Sequence, residues 1–103
     1  MTAAPEQEYP VASVLLGRYY HQDWDLDDPD PDTAVGRLLA DSPPGTASAL
    51  IPELERLRAD LAPLDEDAAL AALLAMHCYF YPPGSGLTVD EWLAHLQRVA
   101  ASA

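Results

Sequence analysis

The sequence contains few basic residues and no lysine. Five arginines stand against 17 carboxylic acids, so the formal net charge of the 103-residue chain is −12. Binding to nucleic acid or to anionic membranes depends on Lys and Arg side chains that neutralise phosphates. The composition therefore argues against nucleic acid and membrane as ligands. It fits a basic protein partner, whose association complementary charge accelerates, and it fits equally a protein whose charge only keeps it in solution.

Cysteine and long apolar runs are also scarce. The one cysteine, Cys78, excludes an internal disulfide, which fits a reducing compartment. No apolar run reaches the length that spans a bilayer, and the first residues lack the basic region of a signal peptide. We therefore expect a soluble, cytoplasmic protein with one core, since a chain of this length is too short for two.

The apolar residues recur at helical spacing between proline-rich corners. Five helices are predicted: from Pro10 to Tyr20, from Pro31 after the cap Asp30, around Pro52, from the cap Asp65, and from the capping box Thr88–Glu91. Pro52 is expected to kink the third helix near Ile51 or to mark its start, because an interior proline loses a hydrogen bond. Residues 79–86 hold two prolines and two glycines and predict a turn.

No segment predicts a strand, so the expected fold is all-α. We predict a compact bundle of four to five short helices joined by Pro-, Gly- and Asp-rich loops. Residues 1–9 are expected to form a flexible tail, and residues 10–103 a single helical domain. In the fourth helix, Leu70, Leu73, Leu74 and His77 are expected to share one face. His77 is then a core histidine, and Cys78 a small buried side chain.

No motif in the chain predicts catalysis or a bound metal. The alternation of Asp23, Asp25 and Asp27 resembles a calcium loop, but Asp28 and Ala34 stand where that loop requires Gly and a bidentate Glu. The histidines and Cys78 lack the paired spacing of zinc ligands. Adjacent helical residues point about 100° apart, so the His77-Cys78 sequence does not define a catalytic dyad. We expect no enzymatic activity, no cofactor and no metal.

The most acidic part of the chain is the aspartate segment, residues 23–32. It holds six aspartates, two prolines and no basic residue. So many carboxylates cannot be buried without partners, and they therefore face water or a basic protein. We expect an exposed loop that is the best candidate for an interface.

Six consecutive residues, Tyr19-Tyr20-His21-Gln22-Asp23-Trp24, lead into this segment. They resemble a signature of bacterial contact-dependent growth inhibition immunity proteins. The resemblance extends to the order of helices from about Val11 to Arg98, a Tyr-Pro turn and the Trp92-Leu93 pair. It implies a cytoplasmic protein that binds the C-terminal toxin domain delivered by a neighbouring cell, commonly a nuclease, and blocks it without chemistry. The sequence does not indicate an oligomeric state.

The predicted partner contacts combine this signature with the aspartate segment, and they are Tyr20, His21, Asp23, Trp24, Asp25, Asp27 and Asp28. The carboxylates would occupy a basic cleft as phosphates do. Trp24 is either a core residue or a contact, because Trp is highly buried on average and also enriched in binding hot spots. Two alternative functions stay open: an acidic helical adaptor or regulator of another basic protein, and a nucleic-acid mimic with carboxylates spread over a large face.

Overall fold

The computed structural model describes residues 5–21 and 30–102, and these residues are largely helical and contain no strand. The helices are α1 (Pro5–Glu8), α2 (Pro10–Val14), α3 (Thr33–Ala40), α4 (Thr46–Leu61), α5 (Glu66–Ala75) and α6 (Val89–Ser102). A π-helical turn (Leu15–Tyr19) continues α2, and a 3₁₀ turn (Pro82–Ser85) precedes α6. The prediction of an all-α bundle is confirmed. The predicted number of helices is also met, if the single turn α1 is set aside and α2 is joined with its π turn.

The centre of the bundle is the contact between α4 and α6. Apolar residues three and four positions apart lie on one face of a helix, and here the two apolar faces meet. The buried members of these faces are Leu50, Leu54 and Leu57 from α4, and Trp92, Leu93 and Leu96 from α6. Beside them the rings of Tyr20, Phe80 and Trp92 form an aromatic cluster with centroids 4.7–5.6 Å apart.

Capping side chains begin α5 and α6 at the predicted residues. Asp65 accepts a hydrogen bond of 2.8 Å from the Ala68 N–H. The Glu91 N–H donates to Thr88 Oγ1 at 3.1 Å, and the Thr88 N–H donates to Glu91 Oε1 at 2.9 Å. These bonds satisfy N–H groups that have no partner within the helix. Both predictions are confirmed. They could be made from the sequence because all the partners lie within one helical turn.

The start of α3 differs from the prediction by two residues. Asp30 Oδ1 accepts from the Asp32 N–H at 3.0 Å, and the Asp30 carbonyl accepts from the Thr33 N–H at 3.0 Å. Asp30 therefore forms an Asx turn in front of the helix. The sequence predicted Pro31 as the first helical residue, but Pro31 lies in this turn.

Helix α4 continues through Pro52, so the predicted start at that residue was wrong. The helix is preceded by Gly45, whose φ of 92° is a left-handed conformation that a residue without Cβ adopts easily. An interior proline costs about 3 kcal/mol. Burial of the apolar face of α4 against α6 offsets this cost. The helical spacing of the apolar residues did not reveal that α6 covers this face.

Helix α5 ends at Ala75 in a Schellman motif. The Cys78 N–H donates to the Leu73 carbonyl at 3.0 Å, and the His77 N–H donates to the Leu74 carbonyl at 2.9 Å. His77 has a φ of 65°, at the position where glycine is usual, and its side chain is exposed. Leu74 is exposed as well. The prediction of a buried face shared by Leu74 and His77 was therefore wrong, whereas buried Cys78 is confirmed.

Tyr9, which the sequence analysis assigned to a flexible tail, packs in the core. Its side chain is 5% exposed, its hydroxyl donates to the Asp60 carboxylate, and the Arg56 guanidinium lies 5.5 Å from its ring centroid. Arg56 also donates to the Glu8 carbonyl at 2.7 Å. The packed domain thus includes Tyr9. The division of the chain into a tail and one domain otherwise stays a prediction.

Candidate functional site

The described residues on either side of residues 22–29 are joined by a hydrogen bond. The Tyr20 hydroxyl donates to the Pro31 carbonyl at 2.6 Å. The Tyr20 carbonyl in turn accepts from the Tyr79 N–H at 2.8 Å. Both ends from which residues 22–29 extend are therefore held against the core.

Asp32, at the second of these ends, is bound to α6. His95 Nε2 lies 2.9 and 3.0 Å from the two carboxylate oxygens of Asp32. Asp30 forms the Asx turn described above. Two of the six aspartates in the aspartate segment thus fix the start of α3, and neither is a predicted partner contact.

Tyr19, the first residue of the signature, connects the π turn with α3. Its hydroxyl donates to Asp41 Oδ2 at 3.1 Å, and the Arg37 guanidinium lies 5.6 Å from its ring centroid. Partial burial, followed by the hydrogen bond to Asp41, raises the pKa of Tyr19. The phenol therefore remains protonated at physiological pH and keeps donating to Asp41.

Tyr20, one of the predicted partner contacts, lies in the core. It has no exposed surface, and its ring contacts Phe80 and Trp92. A side chain buried to this degree is inaccessible to a partner unless the core opens. His21 is half-buried. The other predicted contacts lie outside the described residues: Asp23, Trp24, Asp25, Asp27 and Asp28.

The π turn, which ends at Tyr19, lies close to the end of α5. A π-helical turn widens the helix locally, and such turns are frequent at functional sites. Gly17 lies in this turn, and a Cβ at that position would be 3.0 Å from the Met76 carbonyl oxygen. Because Gly17 has no side chain, the turn can approach the backbone that follows α5.

Carboxylates also cap helices to which they do not belong, a role that the sequence analysis missed. Glu53 is buried, and its Oε1 accepts from the N–H groups of Val11 and Ala12, both at 2.9 Å. Glu66 Oε1 accepts from the Val89 N–H at 2.8 Å. The partners are 41, 42 and 23 positions apart in the chain, so no local pattern could reveal them.

The aromatic turn, residues 79–86, presents two tyrosines to solvent. Cys78, Phe80 and Pro82 are buried, whereas Tyr79 and Tyr81 between them are 49% and 60% exposed. This alternation is typical of an extended chain, in which successive side chains point to opposite sides. An open groove beside the turn is lined by Leu70, Ala71, Leu74, Cys78, Tyr79, Phe80 and Tyr81.

Residues 5–21 and 30–102 contain no group of three or more His, Cys, Asp or Glu side chains that could hold a metal ion. Burial raises the pKa of the Cys78 thiol to about 12. A thiol with so high a pKa is protonated at neutral pH and is therefore a poor nucleophile. Among the same residues, no helix is long and apolar enough to cross a membrane.

A small acidic helical bundle with exposed tyrosines close to Tyr20 of the signature has the features of a protein-binding domain. Residues 8–100 match the family described as CdiI immunity protein, which is most of the chain. The chain therefore belongs to the CdiI immunity protein family and is a toxin-neutralising immunity protein. The resemblance first drawn from residues 19–24 is thus confirmed. No curated protein and no solved structure matches the chain significantly.

Proposed function

We propose that the protein neutralises the C-terminal domain of its cognate toxin by presenting the aspartate segment to a basic surface of that domain. Membership of the CdiI immunity protein family over residues 8–100 is the observation that carries this proposal. The formal charge of −12 supports a basic partner, because opposite potentials attract during association. The hydrogen bonds of Tyr20 with Pro31 and Tyr79 support it further, since they hold the described residues next to residues 22–29 in place before binding, which lowers the entropy lost on binding.

In this proposal the toxin is a nuclease, and the carboxylates occupy the basic cleft that otherwise binds phosphates. The proposed contacts are His21, Asp23, Trp24, Asp25, Asp27 and Asp28. Neutralisation takes place in the cytoplasm and requires no reaction by the immunity protein itself. It needs only that the complex covers the surface on which the toxin acts.

The carboxylates outside the aspartate segment favour a localised acidic surface over a nucleic-acid mimic. Several of them accept hydrogen bonds within the bundle: Glu53, Asp65, Glu66, Asp90 and Glu91. A mimic requires carboxylates that are available over a large face, as phosphates are on a duplex. Carboxylates that already cap helices or pair with arginine would have to exchange these partners on binding, at a cost in free energy.

The test uses the C-terminal domain encoded by the neighbouring toxin gene. Purified immunity protein is titrated into an assay of DNA and RNA cleavage by that domain, and cells that express the toxin are scored for survival with and without the immunity protein. We expect inhibition to be complete at one equivalent, and only the protected cells to grow. Heat-unfolded immunity protein is the control and should not inhibit.

Two results would contradict different parts of the proposal. If the folded protein did not bind the toxin domain, the proposal as a whole would fail. If it bound and protected, but the free toxin domain cleaved neither DNA nor RNA, the assignment of a nuclease toxin would be wrong while neutralisation by binding would stand.

A further inference from the structure

The longest stretch of this acidic chain without an acidic residue or an arginine runs from Ala68 to Val89. It contains three of the four large apolar or aromatic side chains that are exposed among the described residues: Leu74 at 53%, Tyr79 at 49% and Tyr81 at 60%. The centres of protein interfaces are depleted in charged residues and enriched in aromatic ones. We call the surface formed by Leu74, Tyr79 and Tyr81 the neutral patch. It has fewer charged and more aromatic side chains than the rest of the surface, as the centre of an interface does.

The backbone of the two tyrosines in the patch is held in place by hydrogen bonds and by the packing of Phe80. Phe80 lies between them in sequence and packs against Trp92 with a centroid distance of 4.7 Å. The Tyr79 N–H is bonded to the Tyr20 carbonyl, and the Gly84 N–H donates to the Tyr81 carbonyl at 3.0 Å. A residue that is rigid before binding loses little entropy in the complex, which is one reason why tyrosine serves well as an anchor.

Two parts of the chain next to the patch lead to acidic residues. Tyr79 is bonded to Tyr20, and the aspartate segment begins three residues after Tyr20. On α5, exposed Asp67 lies seven positions before Leu74 and therefore on the same side of the helix. An apolar centre with an acidic rim fits a partner that has an apolar side chain surrounded by Lys and Arg. A second copy of this chain does not fit, because its own charge of −12 would be repelled.

We infer that Leu74, Tyr79 and Tyr81, together with the groove between α5 and the aromatic turn, form the apolar centre of the toxin-binding surface, into which the toxin domain inserts an apolar side chain. This inference rests on the proposed function. It adds a division of roles: the aspartate segment attracts the toxin domain, and the neutral patch holds it. Charges at the rim of an interface act mainly on the association rate, whereas desolvated anchors act mainly on the dissociation rate.

Binding kinetics with the C-terminal domain of the neighbouring toxin gene test this division. The double variant Tyr79→Ala/Tyr81→Ala and the single variant Leu74→Lys should dissociate about tenfold faster or more. Association should be nearly unchanged in the double variant, whereas the added positive charge of Leu74→Lys should also slow association with a basic partner. The matched control is Leu64→Ala, which removes the fourth exposed side chain, 43% exposed, on the connection between α4 and α5. The control should bind as the wild type does.

Leu74→Lys keeps the experiment decisive if the double variant folds poorly, because lysine is well tolerated at an exposed helical position. Wild-type dissociation in folded Leu74→Lys would overturn the inference. The inference would also be overturned if the wild type formed dimers, the variants did not, and toxin binding was the same in both. If the wild type bound the toxin domain and only the aspartate variants were impaired, this inference would fail and the proposed function would stand. If the wild type did not bind at all, both would fail.

Discussion

A single buried carboxylate, that of Glu53, completes the N-terminus of a helix to which it does not belong. The first N–H groups of a helix have no partner within it, and the side chain that precedes α2, that of Tyr9, accepts none of them. Glu53 reaches across from α4 and accepts two of them. Its negative charge also lies at the positive end of the α2 dipole, which is favourable.

Replacement of Glu53 should therefore destabilise the fold more than replacement of an exposed glutamate does. We expect Glu53→Ala to lower the free energy of unfolding by about 2–4 kcal/mol, because each buried N–H left without an acceptor costs about 1–3 kcal/mol. Glu53→Gln keeps an oxygen acceptor and should lose only about 1 kcal/mol. Urea denaturation followed by circular dichroism measures both.

The neighbouring variant Glu55→Ala is the control, since its side chain is exposed on the same helix and its contacts with Arg58 and Gln97 lie at the surface, where such contacts contribute little. It should change stability by no more than about 0.5 kcal/mol. Equal effects of Glu53→Ala and Glu55→Ala would show that the two bonds to α2 contribute nothing.

Which residues could be predicted from the sequence depended on how far away their partners lie. Asp65 and the pair Thr88–Glu91 were predicted because each cap is complete within four residues. Tyr9 and Glu53 were missed because their partners are 51 and about 40 residues distant. Of the predicted contacts, Tyr20 is buried by partners that are also distant, since Phe80 and Trp92 come from the other end of the chain.

At the scale of elements, the two glycines inside helices have opposite surroundings. Gly17, in the π turn, faces the Met76 carbonyl, whereas Gly36, in α3, has nothing within 4 Å of the position of a Cβ. The gain in helix propensity from Gly to Ala is about 1 kcal/mol at either position. The surroundings of each glycine therefore decide the sign of the effect.

We expect Gly17→Ala to destabilise the protein by about 1 kcal/mol net, because overpacking typically costs 1–3 kcal/mol and exceeds the gain in propensity. Gly36→Ala should stabilise it by about 0.5–1 kcal/mol. Thermal melts of the two variants provide the comparison. Stabilisation by both substitutions would mean that the π turn does not approach the end of α5 as closely as described.

The contact between α4 and α6 includes one ion pair whose effect depends on pH. Arg58 Nε lies 2.9 Å from Asp90 Oδ1, and Arg58 Nη1 lies 2.9 Å from Gln97 Oε1. The hydrogen bond from Arg58 holds the pKa of Asp90 below its ordinary value. The pair therefore stabilises the fold at pH values above the ordinary pKa of Asp90, about 3.9, and this stabilisation is lost as the pH falls through the lowered pKa.

The stability difference between the wild type and Asp90→Asn should accordingly be largest near neutral pH and should shrink below about pH 4. Chemical denaturation at a series of pH values from 7 to 3 measures it. In a background that carries Arg58→Gln, the difference should no longer change with pH. A difference that is independent of pH in the wild-type background would show that Arg58 and Asp90 do not interact in solution. The pair is partly exposed, so the effect is expected to be small.

At the scale of the whole molecule, the helix order and the fold class followed from apolar spacing and corner residues. That information is distributed along the entire chain, so local errors at Asp30, Pro52 and His77 did not change the result. The candidate site was less predictable. The sequence predicts a turn over residues 79–86 with aromatic residues that are a second candidate for the interface. The exposure of Tyr79 and Tyr81 becomes evident only when Phe80 is seen to fill the core between them.

The uneven distribution of charge also belongs to this scale. The aspartate segment is strongly negative, and the stretch from Ala68 to Val89 carries no acidic residue and no arginine. Tyr20 is hydrogen-bonded to both regions, since its hydroxyl donates to the Pro31 carbonyl and its carbonyl accepts from the Tyr79 N–H. Tyr20 thus connects the segment that we propose attracts the toxin domain with the patch that we infer retains it.

The most direct test of neutralisation through the aspartate segment is the association rate with the toxin domain as a function of salt. The variant in which Asp23, Asp25, Asp27 and Asp28 are replaced by Asn is compared with the wild type between low and physiological ionic strength. If the aspartates attract the toxin, the variant should associate markedly more slowly at low salt, and its rate should depend less on salt. Equal association rates and equal salt dependence of the folded variant and the wild type would contradict the central claim.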